Sequence, residues 1–324
     1  MAGRDPSTLL ELAASGDRAA LARLLTLVER GGEPGRVVAR LVHRRAGRAY
    51  TVGLTGAPGA GKSTLTDAIV RHLRSRSEEV GVLAVDPSSS RSGGAILGDR
   101  VRMQGHAGDD GVFIRSMASR GHLGGLALAT PSAIRVLDAA GLPVVLVETV
   151  GVGQVEVAIA GAADTTVVVV TPGWGDAVQV SKAGLIEIAD VLVVNKADRG
   201  GADGAVQDLE GMLQMGGSRA HRWRPPVVVT SATDGGGVAE LWDAVSRHRA
   251  WLEANGELER RRRRRVAAET REIVLRRLEE RAAALTAGPD FDRLVDEVAS
   301  RRIDPWAAAE ALLAPEGASG PEEG

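Results

Sequence analysis

The sequence predicts a mainly parallel, doubly wound α/β sheet that carries a phosphate-binding loop. Short valine-rich runs recur from residue 49 to residue 232, and most are apolar throughout, as is typical of strands covered on both faces. Helical stretches at 62–76, 131–140 and 176–189 separate several of these runs. A glycine-rich segment directly follows the first run.

The elements follow in a simple order along the chain. Residues 7–45 predict helices, because Asp17 can cap a helix whose apolar side chains then share one face. Seven predicted strands come next, within AYTVGLTG, EVGVLAVD, GVFIRSM, PVVLVETVG, TTVVVVTP, VLVVNKAD and PVVVTSA. After about residue 245 the sequence becomes helical and strongly charged, and Asp304-Pro305 predicts the start of one more helix.

Four parts of the chain are therefore expected. They are a helical N-terminal extension at 1–45, a phosphate-loop domain at 46–245, a helical arm at 246–313 and a disordered tail at 314–324. The tail is predicted from its glycine, proline and glutamate content, which offers little apolar surface to bury.

Composition excludes several classes of function. The chain has no cysteine, so disulfides and thiolate metal sites are excluded, and a reducing, cytoplasmic location is expected. Its net charge of −2 gives no general attraction to nucleic acid. The apolar runs are shorter than the roughly 20 residues of a membrane span, and the acidic N-terminus does not resemble a signal peptide. The six histidines show no metal-ligand spacing.

The segment GAPGAGKST at 56–64 matches the phosphate-loop pattern between a predicted strand and a predicted helix. Glycines let the backbone wrap closely around phosphate, and the helix that starts near Lys62 adds its positive end. Lys62 is expected to bridge the β- and γ-phosphates, and the Ser63 hydroxyl to bind Mg²⁺. The alternative is a glycine-rich turn that merely precedes a helix. The predicted nucleotide contacts are Gly56, Ala57, Pro58, Gly59, Ala60, Gly61, Lys62, Ser63 and Thr64.

The bound nucleotides are expected to be GTP and GDP, because Asn195-Lys196-x-Asp198 follows an apolar strand. The Asp198 carboxylate can accept both N1–H and N2–H₂ of guanine, whereas adenine offers no such pair of donors. Asn195 is expected either to bond the O6/N7 side of the base or to tie its loop to the phosphate loop. The aliphatic stem of Lys196 can cover the face of the guanine ring. Ser231 and Ala232 predict a second loop that contacts the base, the accessory base loop. Taken alone, the pattern is equally typical of a solvated turn.

Carboxylates near predicted strand ends are candidates for the magnesium site. Glu148 ends the strand in VVLVETVGVGQ, and the Gly151 N–H that follows can bond the γ-phosphate of GTP but not GDP. Gln154 is a candidate for orienting the attacking water. Asp86 and Asp99 can approach Mg²⁺ when GTP is bound, or act as ordinary turn residues.

Lysine is rare enough in this chain to be informative. Three of the 40 basic residues are lysine, namely Lys62, Lys182 and Lys196. The chain otherwise uses arginine, which cannot imitate the compact ammonium group of lysine. The three lysines are therefore expected at positions where a compact ammonium group is needed.

Several segments closely resemble the MeaB/ArgK family, which consists of G3E-type GTPases associated with adenosylcobalamin-dependent acyl-CoA mutases, chiefly methylmalonyl-CoA mutase. The resemblance covers roughly residues 10–313 and rests on TGAPGAGKST, AVDPSSSRSGGAILGDRVRM, VETVGVGQVE, GDAVQVSKAGLIEIADVLVVNKAD and DPWAAAEALL. The second and fourth segments are specific to the family rather than to GTPases at large. An older name for the family is LAO/AO transport-system kinase.

The resemblance implies a Mg²⁺-dependent GTPase that gates cofactor loading and protects a mutase, and a homodimer formed through the C-terminal helical arm. It also implies that Asp86, Asp99 and Glu148 surround Mg²⁺. The stretch 173–184 corresponds to an additional switch facing the mutase, which gives Lys182 a role at the nucleotide or the partner. The alternative for Lys182 is an ordinary surface lysine at a helix start.

Two other functions remain open on the sequence. One is a kinase that transfers the γ-phosphate of GTP or ATP to a component of amino-acid transport, as the older family name suggests. The other is a scaffold that binds nucleotide without turnover.

The arginine run at 260–265 is interpreted as a solvated or dimer-bracing face of the arm. Glutamates lie on both sides of it, and the whole chain carries no excess positive charge. The competing interpretation of such a run is a nucleic-acid or acidic-partner contact, which is not expected here.

Overall fold

A parallel β-sheet forms the centre of the protein in the computed structural model, which describes residues 5–86, 104–106, 108–118, 123–149, 161–173, 187–215 and 223–314. The strands are β1 (Tyr50–Gly56), β2 (Val80–Asp86), β3 (Val112–Ala118), β4 (Val144–Thr149), β5 (Thr165–Val170), β6 (Val191–Val194) and β7 (Val227–Val229). They lie in the order β3-β2-β4-β1-β5-β6-β7, and every neighbouring pair is parallel. The predicted fold class is confirmed.

The apolar runs become strands because the sheet is covered on both faces. β1, β4, β5 and β6 are buried along their whole length, so no polar alternation is needed in their sequences. β7 is short and partly exposed because it lies at an edge of the sheet. β1 has β4 on one side and β5 on the other, so the chain changes direction across the sheet at this central strand.

The described helices alternate with the strands and then continue alone. They are α1 (Pro6–Ala14), α2 (Arg18–Arg30), α3 (Gly32–His43), α4 (Lys62–Ser75), α5 (Leu123–Ala139), α6 (Ala202–Met215), α7 (Val238–Ala254), α8 (Glu257–Leu285), α9 (Pro289–Ala299) and α10 (Pro305–Leu313). The expected helices at 62–76 and 131–140 correspond to α4 and α5. Residues 176–186 of the third expected helix lie outside the described residues.

The N-terminal helices share one face of the sheet with α5. Asp17 caps α2, since its side chain accepts hydrogen bonds from the backbone N–H groups of Ala19 and Ala20. Leu24 of α2 belongs to the same buried apolar cluster as Leu137 of α5. The helical extension therefore covers the sheet instead of standing apart from it.

The opposite face of the sheet is covered by α4 and α7. Leu65 of α4 and Leu241 of α7 are fully buried in one cluster with β-sheet residues such as Val52 and Val193. Because α4 begins directly after the loop that leaves β1, this packing fixes the start of α4 at the carboxyl end of the central strand.

Two compact units can be separated along the chain, Met1–Val266 and Ala267–Gly324. In the second unit α9 and α10 pack together and bury Leu294 and Ala308. No helix in the described part of the chain is both long and apolar enough to cross a membrane.

The interpretation of the arginine run as a solvated face is wrong for three of its members. Arg261, Arg262 and Arg265, in the first turns of α8, bind the buried carboxylates of Asp164 and Asp190. The physical reason is that these side chains share one face of the helix, and that face meets two aspartates at the start of β5 and β6. A dimer-bracing role for the arm stays a prediction.

Candidate nucleotide-binding site

The carboxyl ends of the central strands bring the predicted site residues together. β1 ends at Gly56 and leads into the phosphate loop, β4 carries Glu148 at its end, and Asn195 follows β6. In open α/β sheets, ligands bind outside the carboxyl ends of the strands where the strand order reverses. The expected site therefore lies where this fold is suited to bind a ligand.

Two glycines of the phosphate loop cannot carry a side chain. Gly56 has a φ of +138°, and a Cβ there would lie 2.1 Å from the carbonyl oxygen of Val169. Gly61 has a φ of +87°, and a Cβ there would lie 2.5 Å from Nδ2 of Asn195. Both positions combine the left-handed backbone region with close contact, so they need glycine.

Lys62 is held inside the curve of the phosphate loop. Its Nζ donates hydrogen bonds to the carbonyl oxygens of Gly56 at 2.7 Å and Ala57 at 3.0 Å. The residue is buried although it carries a charge, and it is the first residue of α4. This arrangement concentrates an ammonium group and the positive end of a helix at one place, which suits a phosphate.

Ser63 and Glu148 meet beside the phosphate loop. The Ser63 hydroxyl donates to Oε1 of Glu148 at 2.5 Å, and both residues are buried. A hydroxyl and a carboxylate form an all-oxygen donor set, which fits Mg²⁺, an ion usually held by one or two carboxylates together with substrate phosphates. The described residues contain no group of three or more His, Asp or Glu side chains that could hold a metal by themselves.

Asn195 joins three loops through its side-chain amide. Its Nδ2 donates to the carbonyl oxygen of Ala60 at 2.9 Å. This bond ties the loop that follows β6 to the phosphate loop. Its Oδ1 accepts from the Thr230 hydroxyl at 3.0 Å and from the Ala232 N–H at 3.2 Å. Of the two contacts that the sequence left open for Asn195, the structure contains the tie between loops.

The loop after Asn195 presents Asp198 at the surface. Lys196 adopts a left-handed backbone conformation with a φ of +63°, which turns the chain sharply after β6. Asp198 is exposed, and its Oδ1 accepts a hydrogen bond from the Ser231 hydroxyl at 3.2 Å. An exposed carboxylate with one oriented oxygen is suited to accept the paired donors of guanine.

Some predicted site residues lie outside the described residues. These are Asp99, Gly151, Gln154 and Lys182, and for Asp86 the backbone belongs to β2 while its side chain is not described. The roles expected for them stay predictions.

Thr230 belongs to the stretch TSA at 230–232, which predicts the accessory base loop, but no role was predicted for its side chain. It is buried, and its hydroxyl is a fixed donor to Oδ1 of Asn195. This donor decides which end of the amide faces the phosphate loop, because a carbonyl oxygen accepts and an amide nitrogen donates. The available signal was a hydroxyl residue directly after the last strand, beside the predicted accessory loop.

We expect the Thr230→Val variant to bind GDP about three- to tenfold more weakly, because Asn195 loses one of its three partners and the tie to Ala60 is less well oriented. Titration calorimetry with GDP measures the change. The matched control is Thr26→Val, which removes a hydroxyl that donates to Ala22 within α2 and accepts from Arg115 of β3, with no contact to Asn195 or its partners. Equal affinities in wild type and Thr230→Val would contradict the orienting role.

Comparisons with known proteins found a matching family model, similar sequences and a similar fold. The family model of the methylmalonyl Co-A mutase-associated GTPase MeaB matches residues 21–287. A protein of Pyrococcus abyssi, provisionally named a GTPase, is 50% identical over 307 residues, 94% of this chain and 95% of that protein. The GTPase ArgK of Escherichia coli is 36% identical over 289 residues, 86% of this chain and 85% of that protein. A crystal structure described as LAO/AO transport system kinase superposes with a TM-score of 0.70 at 27% identity, covering 95% of this chain and 96% of that one.

Proposed function

Because this chain belongs to the MeaB family of methylmalonyl-CoA mutase-associated GTPases, we propose that its GTP hydrolysis serves an adenosylcobalamin-dependent acyl-CoA mutase. The chain is a GTP hydrolase, as its relatives are named. In the proposed role it acts as a chaperone that gates cofactor loading and protects the mutase.

One observation carries the assignment of the site. Asn195 ties the loop that bears Asp198 to the phosphate loop that bears Lys62, by a hydrogen bond to the Ala60 carbonyl. This bond sets the distance between the base-reading carboxylate and the phosphate-binding ammonium. A single guanine nucleotide has to contact one loop with its phosphates and the other with its base, so this link supports one continuous nucleotide site.

The chemistry proposed for this site is positioning and charge neutralisation. Lys62 would bind the β- and γ-phosphates, and the loop amides would hold their oxygens. Ser63 and Glu148 would hold Mg²⁺, which when bound supplies positive charge to the phosphates. Asp198 would select guanine, and Ser231 would keep its carboxylate oriented.

Slow hydrolysis is expected for the protein alone. None of the described site residues is placed as a general base, and water has to be oriented for in-line attack on the γ-phosphate. A partner that completes the site can raise the rate of GTP hydrolysis by about 10- to 10⁵-fold, the range seen with activating proteins. The mutase is the proposed source of this acceleration.

A homodimer and a cytoplasmic location are part of the proposal. Apolar side chains are exposed along α8, including Ile273, Leu275 and Leu278, and their contact with a second copy would remove them from water. The absence of cysteine is compatible with a reducing compartment.

The proposal is tested by following the γ-phosphate of labelled GTP with and without a purified methylmalonyl-CoA mutase. We expect the label in free phosphate, and at least a tenfold faster release when the mutase is present. The Lys62→Ala variant is the control for contaminating phosphatases. Label on a protein acceptor would support the kinase suggested by the older family name, and zero turnover even with the mutase would support a nucleotide-binding scaffold.

A further inference from the structure

The first turns of α8 are fastened to the sheet by a bidentate ion pair. Nη1 of Arg261 donates to Oδ2 of Asp190 at 2.8 Å, and Nη2 donates to Oδ1 at 2.9 Å. Nη1 also donates to the carbonyl oxygen of Asp164 at 3.2 Å. Such fork-shaped pairing holds both position and orientation, which a lysine cannot do.

Two further arginines hold the Asp164 carboxylate. Nη2 of Arg262 donates to Oδ2 of Asp164 at 2.8 Å, and Arg265 donates to Oδ1. Arg262 also donates to the carbonyl oxygens of Gly47 at 2.7 Å and Ala49 at 2.9 Å. We call these three arginines and two aspartates the arginine clamp.

The two carboxylates of the arginine clamp are buried, and its three guanidinium groups are partly buried. Burial alone would raise the pKa of Asp164, but the hydrogen bonds and positive charges of Arg262 and Arg265 outweigh it and keep that pKa below its usual value. Burial lowers the pKa of the neighbouring His248 to about 4, although Asp190 favours its protonated form. At neutral pH Asp164 is therefore a carboxylate, and His248 adds no charge to the clamp.

The clamp lies at the starts of the strands that end at the nucleotide site. Asp164 directly precedes β5, Asp190 directly precedes β6, and Ala49 directly precedes β1. The far ends of β1 and β6 lead into the phosphate loop and to Asn195. The last residue of β5, Val170, lies at the same place, because its carbonyl oxygen accepts a hydrogen bond from the Asn195 N–H at 2.8 Å.

The two aspartates also follow the stretches that carry the expected nucleotide-sensing residues. Asp164 lies 13 positions after Gly151, and Asp190 lies eight positions after Lys182. The start of α8 holds both aspartates, Asp190 by a bidentate pair with Arg261 and Asp164 by hydrogen bonds shared between Arg262 and Arg265. The start of α8 is thus in direct contact with both places where the chain re-enters the sheet.

We propose that the arginine clamp couples the start of α8 to the nucleotide site, so that the protein holds α8 with different strength in its GTP and GDP states. This inference rests on the GTPase function proposed above. Arg261, Arg262 and Arg265 are positioning residues, since they act through Asp164 and Asp190 and do not contact nucleotide. The coupling is reciprocal, so weakening the clamp must change the preference between the two nucleotides.

Hydrogen exchange of the full chain with GDP and with a non-hydrolysable GTP analogue tests the coupling. We expect amide exchange in peptides spanning 257–266 to differ by about fivefold or more between the two states in the wild type. The Arg262→Gln variant should abolish this difference and change the ratio of GTP-analogue to GDP affinity by a similar factor. Arg263→Gln is the matched control, because Arg263 lies exposed in the same run and takes no part in the clamp.

The possible outcomes separate this inference from the proposed function. Equal exchange in both states, in a wild type that binds both nucleotides, overturns the coupling and leaves the GTPase function intact. A ratio of GTP-analogue to GDP affinity that is unchanged in Arg262→Gln would likewise overturn the coupling and leave the GTPase function intact. If Arg262→Gln does not fold, the milder Arg265→Lys variant, which keeps the charge, replaces it in both measurements. If neither variant folds, the wild-type exchange in the two nucleotide states decides the matter: a difference supports the coupling, and equal exchange overturns it. A wild type that binds neither nucleotide overturns both proposals.

Discussion

The Lys62→Ala variant is expected to bind GTP at least tenfold more weakly than the wild-type protein, a loss of about 1.4 kcal/mol or more. The Lys62 ammonium lies on the inner side of the phosphate loop, bonded to the carbonyl oxygens of Gly56 and Ala57. A phosphate oxygen that reaches this place meets a buried positive charge, and hydrogen bonds to charged groups contribute about 1.5–3 kcal/mol each. Alanine removes that contribution and keeps the loop amides.

Titration calorimetry with GTP and with GDP, both with Mg²⁺, measures this loss. The loss should be larger for GTP, because the ammonium is expected to contact the γ-phosphate as well as the β-phosphate. Arg76→Ala is the control, since it removes an exposed cation just beyond the far end of α4. Thermal unfolding without nucleotide reports any loss of stability from the two missing loop bonds. A change in GTP affinity of less than tenfold would mean that the loop is not the phosphate site.

The sheet could be predicted because each of its buried strands has a recognisable local pattern, a short run of apolar residues. A parallel strand covered on both faces has to be apolar at nearly every position, and TTVVVV at β5 is a clear example. The start of α4 was equally visible, because the glycine-rich loop has to end where Lys62 and Ser63 enter a helix. The order of the strands was not predictable, because it depends on pairings between residues far apart in sequence.

The candidate site was predicted as a set of motifs but not as a set of contacts. The sequence identified Asn195 and left two partners open, and the structure selects Ala60, 135 residues away. The sequence also placed Thr230 in the accessory loop but did not predict its role, which is one hydroxyl aimed at the Asn195 amide. Hydrogen bonds of this kind depend on tertiary geometry, and local patterns contain no information about their direction.

The arginine run shows how a local pattern can be misleading. Six consecutive arginines suggest a solvated surface, because so many like charges repel one another. In the structure Arg261 and Arg262 reach acceptors 71 and 215 residues away, at Asp190 and Gly47. The residues that decide the role of the run are Asp164 and Asp190, which directly precede β5 and β6. Their pairing with the arginines depends on how α8 lies against the starts of these strands, which the sequence does not show.

The Asp198→Asn variant is expected to lose guanine specificity and gain affinity for xanthosine triphosphate (XTP). In the wild type a carboxylate that accepts from Ser231 on Oδ1 can accept N1–H and N2–H₂ of guanine. In asparagine the amide nitrogen opposes the guanine amino group, donor against donor, at a cost of about 3 kcal/mol or roughly 100-fold in GTP affinity. Xanthine has a carbonyl at this position, which accepts the hydrogen bond that the asparagine donates.

The ratio of GTP to XTP affinity measures this exchange, and it cancels any general loss of binding. Asp203→Asn is the matched control, because Asp203 is an exposed aspartate in the first turn of α6 and its loss of charge should leave the ratio unchanged. Reversal of preference in Asp198→Asn alone assigns base selection to that carboxylate. An unchanged ratio would show that the base is recognised elsewhere. The hydrogen bond between Asn195 and Ala60 would then join two loops, and of these only the phosphate loop would contact the nucleotide.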